Sequence, residues 1–293
     1  MKIIPLYFFM LLLLSCGKKS GDPHSKIVID SLSMITHSSV VVHISIEHDP
    51  TTTSTGILYS ETPTFDAPNI DRSCNMLDDM LGIHGLTPGK EYFTKAWISV
   101  QNPQNGETII RYSNQVKFRT MSVPIFTDPR DGNIYPMIEI NGLWWLAENL
   151  NYEAEDGSTE IEDNINNELR FGRLYTHEAI DIAIPHGWRL PTQIEVEDLI
   201  EMALATEEGM QSLYSPRQCM YAETFNSNRF GFSLPFHRGV AGDYRMPLLA
   251  PLYAWDPTEN SLIAFIFRPD GTYYLYQIDN PTYLANIRCV RSI

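Results

Sequence analysis

The chain has 293 residues, 43% hydrophobic and 11% aromatic, with 21 basic against 36 acidic side chains and a formal charge of −15. That apolar share suffices for ordinary cores and excludes global disorder, and at roughly 150 residues per domain the length suits two domains. The acidity argues against nucleic acid or an anionic lipid surface as partner, because both repel a negative face.

Lys2 precedes an apolar run from Leu6 to Leu14, and Ser15 and Cys16 close it before the polar stretch Gly17-Lys18-Lys19-Ser20-Gly21. A bilayer-spanning helix needs about 20 apolar residues, so this run is too short. It has the layout of a secretory signal. No later stretch approaches the ~18 uninterrupted apolar residues of a membrane span. The four cysteines are Cys16, Cys74, Cys219 and Cys289, without a C-x-x-C pair, so a zinc ribbon or thioredoxin-type site is not supported.

Ending on Leu14-Ser15-Cys16, the segment resembles the bacterial lipoprotein signal. The resemblance implies a signal peptide over residues 1–15, a lipid-modified Cys16, and a polar tether over 16–25. Two or more acyl chains anchor durably, at about 0.8 kcal/mol per buried CH₂. The expected location is the cell envelope, at the outer membrane, with the facing side open. The residues after Cys16 are not the acidic run associated with outward export in Bacteroidetes lipoproteins. With Cys16 acylated, Cys74, Cys219 and Cys289 remain, and an odd number cannot all pair internally.

Residues 26–120 read as a β-sandwich. Ile27, Ile29 and Leu32 alternate, the β-branched run Ser39 to Ile46 follows, and Gly56 to Ser60 continues the pattern. Pro88-Gly89 signals a turn, Tyr92 to Ile98 a strand, and Asn105-Gly106 a hairpin leading to a last strand, Tyr112 to Thr120. Leu86-Thr87-Pro88-Gly89 followed by Tyr92 resembles the fibronectin type III pattern, which implies a core leucine and a tyrosine at the corner between sheets. His37, His43, His48 and His84 are scattered and read as surface residues rather than metal ligands. The join, Met121 to Phe126, is short and carries one proline, which suits a tight connection.

Residues 121–293 form the second expected domain. In order come Asp128-Pro129-Arg130-Asp131-Gly132-Asn133, then Gly142-Leu143-Trp144-Trp145-Leu146-Ala147-Glu148-Asn149-Leu150, Phe171-Gly172-Arg173-Leu174-Tyr175, Pro185-His186-Gly187-Trp188-Arg189-Leu190-Pro191-Thr192, and Asn286-Ile287-Arg288-Cys289-Val290-Arg291. These blocks resemble the Fibrobacter succinogenes major paralogous domain, a family of exported bacterial modules. Through its Gly-Trp-Arg-Leu-Pro and Arg-Cys-Val-Arg blocks the family is similar to the C-type-lectin-like fold shared by formylglycine-generating enzymes. The expected fold class is thus a mainly β, fibronectin type III-like N-terminal sandwich plus an α+β, C-type-lectin-like C-terminal domain. Family members often carry a cysteine before the Pro-x-Gly-Trp block. Here Ile184 stands there, which leaves Cys219–Cys289 as the candidate bridge in this half.

The residues give their own reading. Asp131-Gly132-Asn133 marks a turn before a strand over Ile134 to Ile140. Trp144 and Trp145 point to opposite faces of a strand, so one can be core and the other wet. Thr192 with Glu195 forms a capping box, and Val196, Leu199, Ile200 and Ala203 give the helix one buried stripe. Trp188 is expected in the core. Strands return over 254–278 with a turn at Pro269-Asp270-Gly271. Arg173, Arg189 and Arg288 are expected to pair with carboxylates rather than with a ligand.

No chemistry-bearing motif appears. The Glu-Pro-Asn, Gln-Pro-Asp and Trp-Asn-Asp signatures of calcium-dependent lectins are missing; Trp255-Asp256 lacks the intervening asparagine. The acidic run Glu153 to Asp163 lacks the spacing of a calcium loop. No nucleophile elbow, His-Glu-x-x-His or phosphate loop occurs. The expectation is a non-enzymatic, lipid-anchored binding or adhesion module without metal or cofactor. Its partners would be the membrane through the lipid and a carbohydrate or an envelope protein, with no nucleic acid. Trp144, Trp145, Tyr253 and Trp255 are the candidate ligand-binding residues, joined by the tyrosines of 273–276. The alternatives are a divergent modifying enzyme of the formylglycine-generating type, which needs reactive cysteines, and a structural envelope or appendage component.

Overall fold

A computed structural model of the chain describes residues 26–47, 52–66, 69–72, 79–102, 105–160, 172–214, 228, 232 and 250–293. Cys16, Cys74, Cys219, His48, the signal segment and residues 161–163 of the acidic run lie outside the described residues.

The N-terminal part holds eight described strands: β1 (Lys26–Ser33), β2 (Ser39–Glu47), β3 (Thr52–Ser60), β4 (Asn69–Arg72), β5 (Met80–His84), β6 (Glu91–Gln101), β7 (Thr108–Tyr112) and β8 (Val116–Arg119). They form a three-stranded sheet, β1-β2-β5, and a second sheet, β4-β3-β6-β7, with β8 also on β6. Alternate residues of both sheets meet in one core, with Ile27, Ile29, Val40, Val42, Leu81 and Ile83 from one and Ile57, Ala96, Ile98 and Phe118 from the other. This is the period-two burial that a sandwich requires. Leu86 and Tyr92 are buried in it, and the Tyr92 hydroxyl accepts a hydrogen bond from Thr87 N at 3.0 Å, tying the Pro88-Gly89 turn to the core.

The single closing strand expected over Tyr112 to Thr120 is two strands on the same neighbour. Ser113 interrupts it: its N donates to Ala96 O and its Oγ accepts from Ala96 N, both at 2.9 Å. The side chain of Asn114 then bonds both backbone groups of Ile29, 2.8 Å at its N and 3.1 Å at its O, and so links the two sheets. At the paired positions Gly56 and Trp97, a Cβ on Gly56 would come within 2.5 Å of the indole, so only glycine lets the ring lie flat there.

The C-terminal part carries β9 (Ile125–Thr127), β10 (Ile134–Ile140), β11 (Leu143–Leu146), β12 (Ser158–Glu160), β13 (Arg173–Tyr175), α1 (Ile180–Ala183), α2 (Gln193–Leu204), β14 (Ala250–Asp256), β15 (Ser261–Phe267), β16 (Tyr273–Gln277), β17 (Ala285–Asn286) and β18 (Val290–Ser292). One sheet runs β18-β11-β10-β9 and the other β12-β13-β17-β14-β15-β16. The described residues are thus sandwich-like, with far more strand than helix. The turn before β10 has Gly132 at φ +79°, and the one before β16 has Gly271 at φ +84°, as their sequences predict. Two apolar clusters flank the sheets. Val196, Leu199, Ile200 and Ala203 of α2 pack with Trp145, Phe265 and Phe267 in one; Trp188, Tyr175, Tyr253 and Cys289 lie in the other.

The two parts are strapped together. Met121 N donates to Thr36 O and Met121 O accepts from Gly89 N, both at 3.0 Å, while Pro124 O accepts from Met137 N at 2.8 Å. Asn228 Nδ2 reaches Ser39 Oγ across a buried 3.0 Å bond. His37 belongs to this seam. Expected at the surface, it is only 2% exposed, because the loop 36–39 turns toward the second part rather than toward water. Its Nε2 has no hydrogen-bond partner among the described residues.

Burial, helped by the nearby charge of Arg288, pulls the His37 pKa from 6.5 down to about 4. The unfolded chain takes up this proton near 6.5 and the folded chain only near 4. Stability is therefore full above about 6.5, falls as the pH drops toward 4 and levels off below, a loss of about 3 kcal/mol at most. Urea unfolding at pH 7 and pH 4 is expected to show a smaller difference for His37→Gln than for the parent chain.

Candidate functional site

The C-terminal part carries a groove of about 1040 Å³. One wall is the segment from His177 through α1 to Gly187; the other is Trp188, Arg189, Leu190 and Thr192, with Trp255, Leu262 and Pro281 completing it. Each wall is held by a fastener that the sequence blocks supply.

Arg130 braces the first wall. Its Nε and Nη2 fork onto both oxygens of the buried Asp128, at 2.9 and 2.6 Å. Nη1 and Nη2 then donate to the carbonyls of Ile182 and Ala183 at 2.7 and 2.6 Å, and the guanidinium lies 3.8 Å from the Tyr152 ring centroid. Burial raises the Asp128 pKa, but the hydrogen bonds and charge of Arg130 outweigh it and leave the carboxyl below its usual value.

Arg189 holds the second wall. Its guanidinium meets the Glu195 carboxylate at 2.8 and 2.6 Å. Glu195 in turn accepts from Thr192 N at 2.8 Å, and Thr192 Oγ1 accepts from Glu195 N at 3.3 Å, so the expected capping box is present. Trp255 N donates to Pro191 O at 2.9 Å, which brings the half-buried Trp255 to the groove. Gly187, at φ +82°, makes the turn that lets Trp188 drop into the core while Arg189 stays out.

The terminal block closes beneath. Arg189 and Val290 exchange backbone bonds at 3.0 and 2.9 Å, and Arg291 stacks 4.7 Å above the Trp188 ring. Arg288 is fully buried. Its Nη1 donates to Ala147 O at 2.8 Å and to Phe232 O, and its Nε and Nη2 donate to Asn149 Oδ1 at 3.1 and 2.7 Å. The expected carboxylate pairing holds for Arg189 with Glu195 and for Arg173 with Glu153, 3.7 Å apart. For Arg288 the described hydrogen bonds go to neutral oxygens. Burial lowers the Arg288 pKa, and the Glu148 charge opposes that.

The four candidate binding residues are not brought together. Trp145, 1% exposed, and Tyr253, 0%, are core residues, a correction to their reading as stacking positions. The Tyr253 hydroxyl donates to Tyr283 O at 2.7 Å. Trp144 is half-buried on the opposite face of β11 from Trp145, packed against the second cluster, and is not among the residues lining the groove. Trp255 alone of the four lines the groove. Tyr273, Tyr274 and Tyr276 are exposed on β16, at the end of the six-stranded sheet. His177 and Glu178, adjacent in sequence but without a spacing that asks for acid–base chemistry, share the groove rim with Asp181 and His186, and no spacing within the chain announces that shared wall.

Among the described residues no group of three or more His, Cys, Asp or Glu side chains could hold a metal ion, and no helix is long and apolar enough to cross a membrane. Asp256 Oδ1 is occupied in its own turn, accepting from Thr258 N at 2.8 Å and Glu259 N at 3.2 Å. Cys289 is buried and free, and burial pushes its thiol pKa up; Cys219, its candidate partner, is not described.

These fasteners sit largely inside one recognisable stretch, for the family model of the Fibrobacter succinogenes major domain matches residues 138–291. The chain belongs to the Fibrobacter succinogenes major domain family. The Asp128–Arg130 brace lies just ahead of the matched span. No curated protein matches the chain. Among solved structures it is similar to the sensor domain of the anti-sigma factor RsgI4 of Pseudobacteroides cellulosolvens, at 18% identity over 35% of this chain and 98% of that one, with a TM-score of 0.26. It is also similar to a computationally redesigned β-sandwich protein, at 19% identity over 32% of this chain and 92% of that one, with a TM-score of 0.24. Both likenesses are too slight to bear on fold or function.

Breaking the family's fasteners should cost stability in proportion to what each leaves unpaired. Arg288→Lys keeps the charge but loses the fork, and a loss of about 3 kcal/mol or more is expected in denaturant unfolding. Thr192→Ala, which removes only the cap, should cost about 1 kcal/mol. Cys289 should resist iodoacetamide in the folded chain and become alkylated once it is unfolded, as read by peptide mass analysis.

Proposed function

We propose that the chain is a non-enzymatic, lipid-anchored cell-envelope protein in which a fibronectin type III-like spacer presents a lectin-like, glycan-binding head. The observation that carries this reading is the groove, where the Trp255 indole sits among Leu262, Pro281 and Pro185 inside a rim of polar side chains. An apolar floor with a few polar groups is the usual make-up of a small-ligand site, and an aromatic ring suits the C–H face of a sugar.

Several features support the finer parts. The two sheets sharing one core and the Tyr92–Thr87 bond match what the fibronectin-like pattern implies. The strapped join suits a spacer that holds its head in one orientation. The lipoprotein signal ending on Cys16 supports the anchor and an outer-membrane location. A modifying enzyme of the formylglycine-generating type would need an accessible, low-pKa thiol, and Cys289 has neither property.

Two arms test the reading. In cells, Cys16→Ala should move the chain from the detergent phase to the aqueous phase; equal partitioning of both forms removes the anchor. On a glycan array the purified full chain should bind a subset of sugars, and Trp255→Ala should lower that binding about tenfold or more without altering the melting temperature. An array blank for the parent chain removes the glycan ligand.

A further inference from the structure

The groove also has a charge character, set by which of its ionic groups are already spoken for. Arg189, the arginine of its lining, is clamped bidentately by Glu195. Arg130, behind α1, is committed to Asp128 and to two carbonyls. On the rim, Glu178 and Asp181 are exposed and form no ion pair among the described residues. Both arginines of the site are thus neutralised internally, while two carboxylates are open to a ligand on a rim that also carries the imidazoles of His177 and His186. Trp255 lines the same groove, and an aromatic face attracts a positive charge within about 6 Å of its centroid.

We propose that the groove selects a glycan bearing a protonated amino group, an amino sugar of the glucosamine type, over the same glycan without that charge. This rests on the glycan-binding reading above and sharpens it. The pyranose face would lie on Trp255 and its apolar surround, with the ammonium turned toward Glu178 and Asp181. An anionic sugar would meet the same carboxylates and be rejected. An exposed ion pair contributes about 0.2–1 kcal/mol, so two of them, acting with the ring, correspond to a preference of about tenfold.

The test titrates the purified full chain, by tryptophan fluorescence in neutral low-salt buffer, with chitosan oligosaccharides, with chitin oligosaccharides of equal length and with cello-oligosaccharides. Chitosan oligomers should bind about tenfold more tightly than chitin oligomers, with the preference fading in added salt. Glu178→Gln combined with Asp181→Asn should abolish the preference while leaving chitin binding in place. Glu201→Gln combined with Glu207→Gln, exposed acids elsewhere, should leave the preference unchanged and so exclude a general attraction to an acidic protein. Equal affinity for chitosan and chitin oligomers overturns the amino-sugar inference but leaves the glycan reading standing. So does a preference that survives the double rim variant or disappears in the control. Failure of all three oligosaccharides to bind overturns both.

Discussion

The C-terminal part is organised around a cation with no water. Arg288 carries a guanidinium into the interior, and such a charge is tolerable only when its donors are satisfied. The chain meets that demand with carbonyls of Ala147 and Phe232 and the side-chain oxygen of Asn149, while the Phe232 ring lies 4.3 Å from the guanidinium carbon. The loop after β11, the residue Phe232 and the last strand are thereby required to converge on one point. Since β18 pairs with β11 and Val290 bridges to Arg189, fixing Arg288 also fixes the base of the groove. The same charge reaches the seam between the two parts, where it helps keep His37 neutral.

These arginines of the C-terminal part are therefore fasteners before they are anything else. Arg130 and Arg288 join segments distant in sequence, Arg189 locks the turn before α2 to its first residues, and each is engaged by the contacts it makes. What remains for a partner is the space they frame and the side chains they leave over. On the binding reading proposed above, function would lie in the rim of the groove rather than in these arginines.

Much of this architecture was legible in the sequence because it is local. The capping box, the stripe of α2, the glycine turns and the opposed faces of Trp144 and Trp145 follow from spacings of a few residues. Burial that depends on distant partners was not legible. Tyr253 and Trp145 were offered as stacking rings because an aromatic in a strand looks the same from either face. His37 looked solvated because nothing near it in sequence predicts that a second body covers it. The amide oxygens around Arg288 are equally illegible, because Ala147, Asn149 and Phe232 lie far from it in sequence. The groove itself was invisible, since α1, the Gly-Trp-Arg-Leu-Pro segment and β14 come together only through the sheet.

The reach of Arg130 to the carbonyls of Ile182 and Ala183 has one more consequence. A four-residue helix is too short to hold its own shape in water, yet here its final peptide oxygens are gripped by a side chain anchored in a salt link. The wall it forms is rigid before any guest arrives. Association then forfeits little backbone entropy, so even a few shallow contacts along this cleft can yield a measurable affinity.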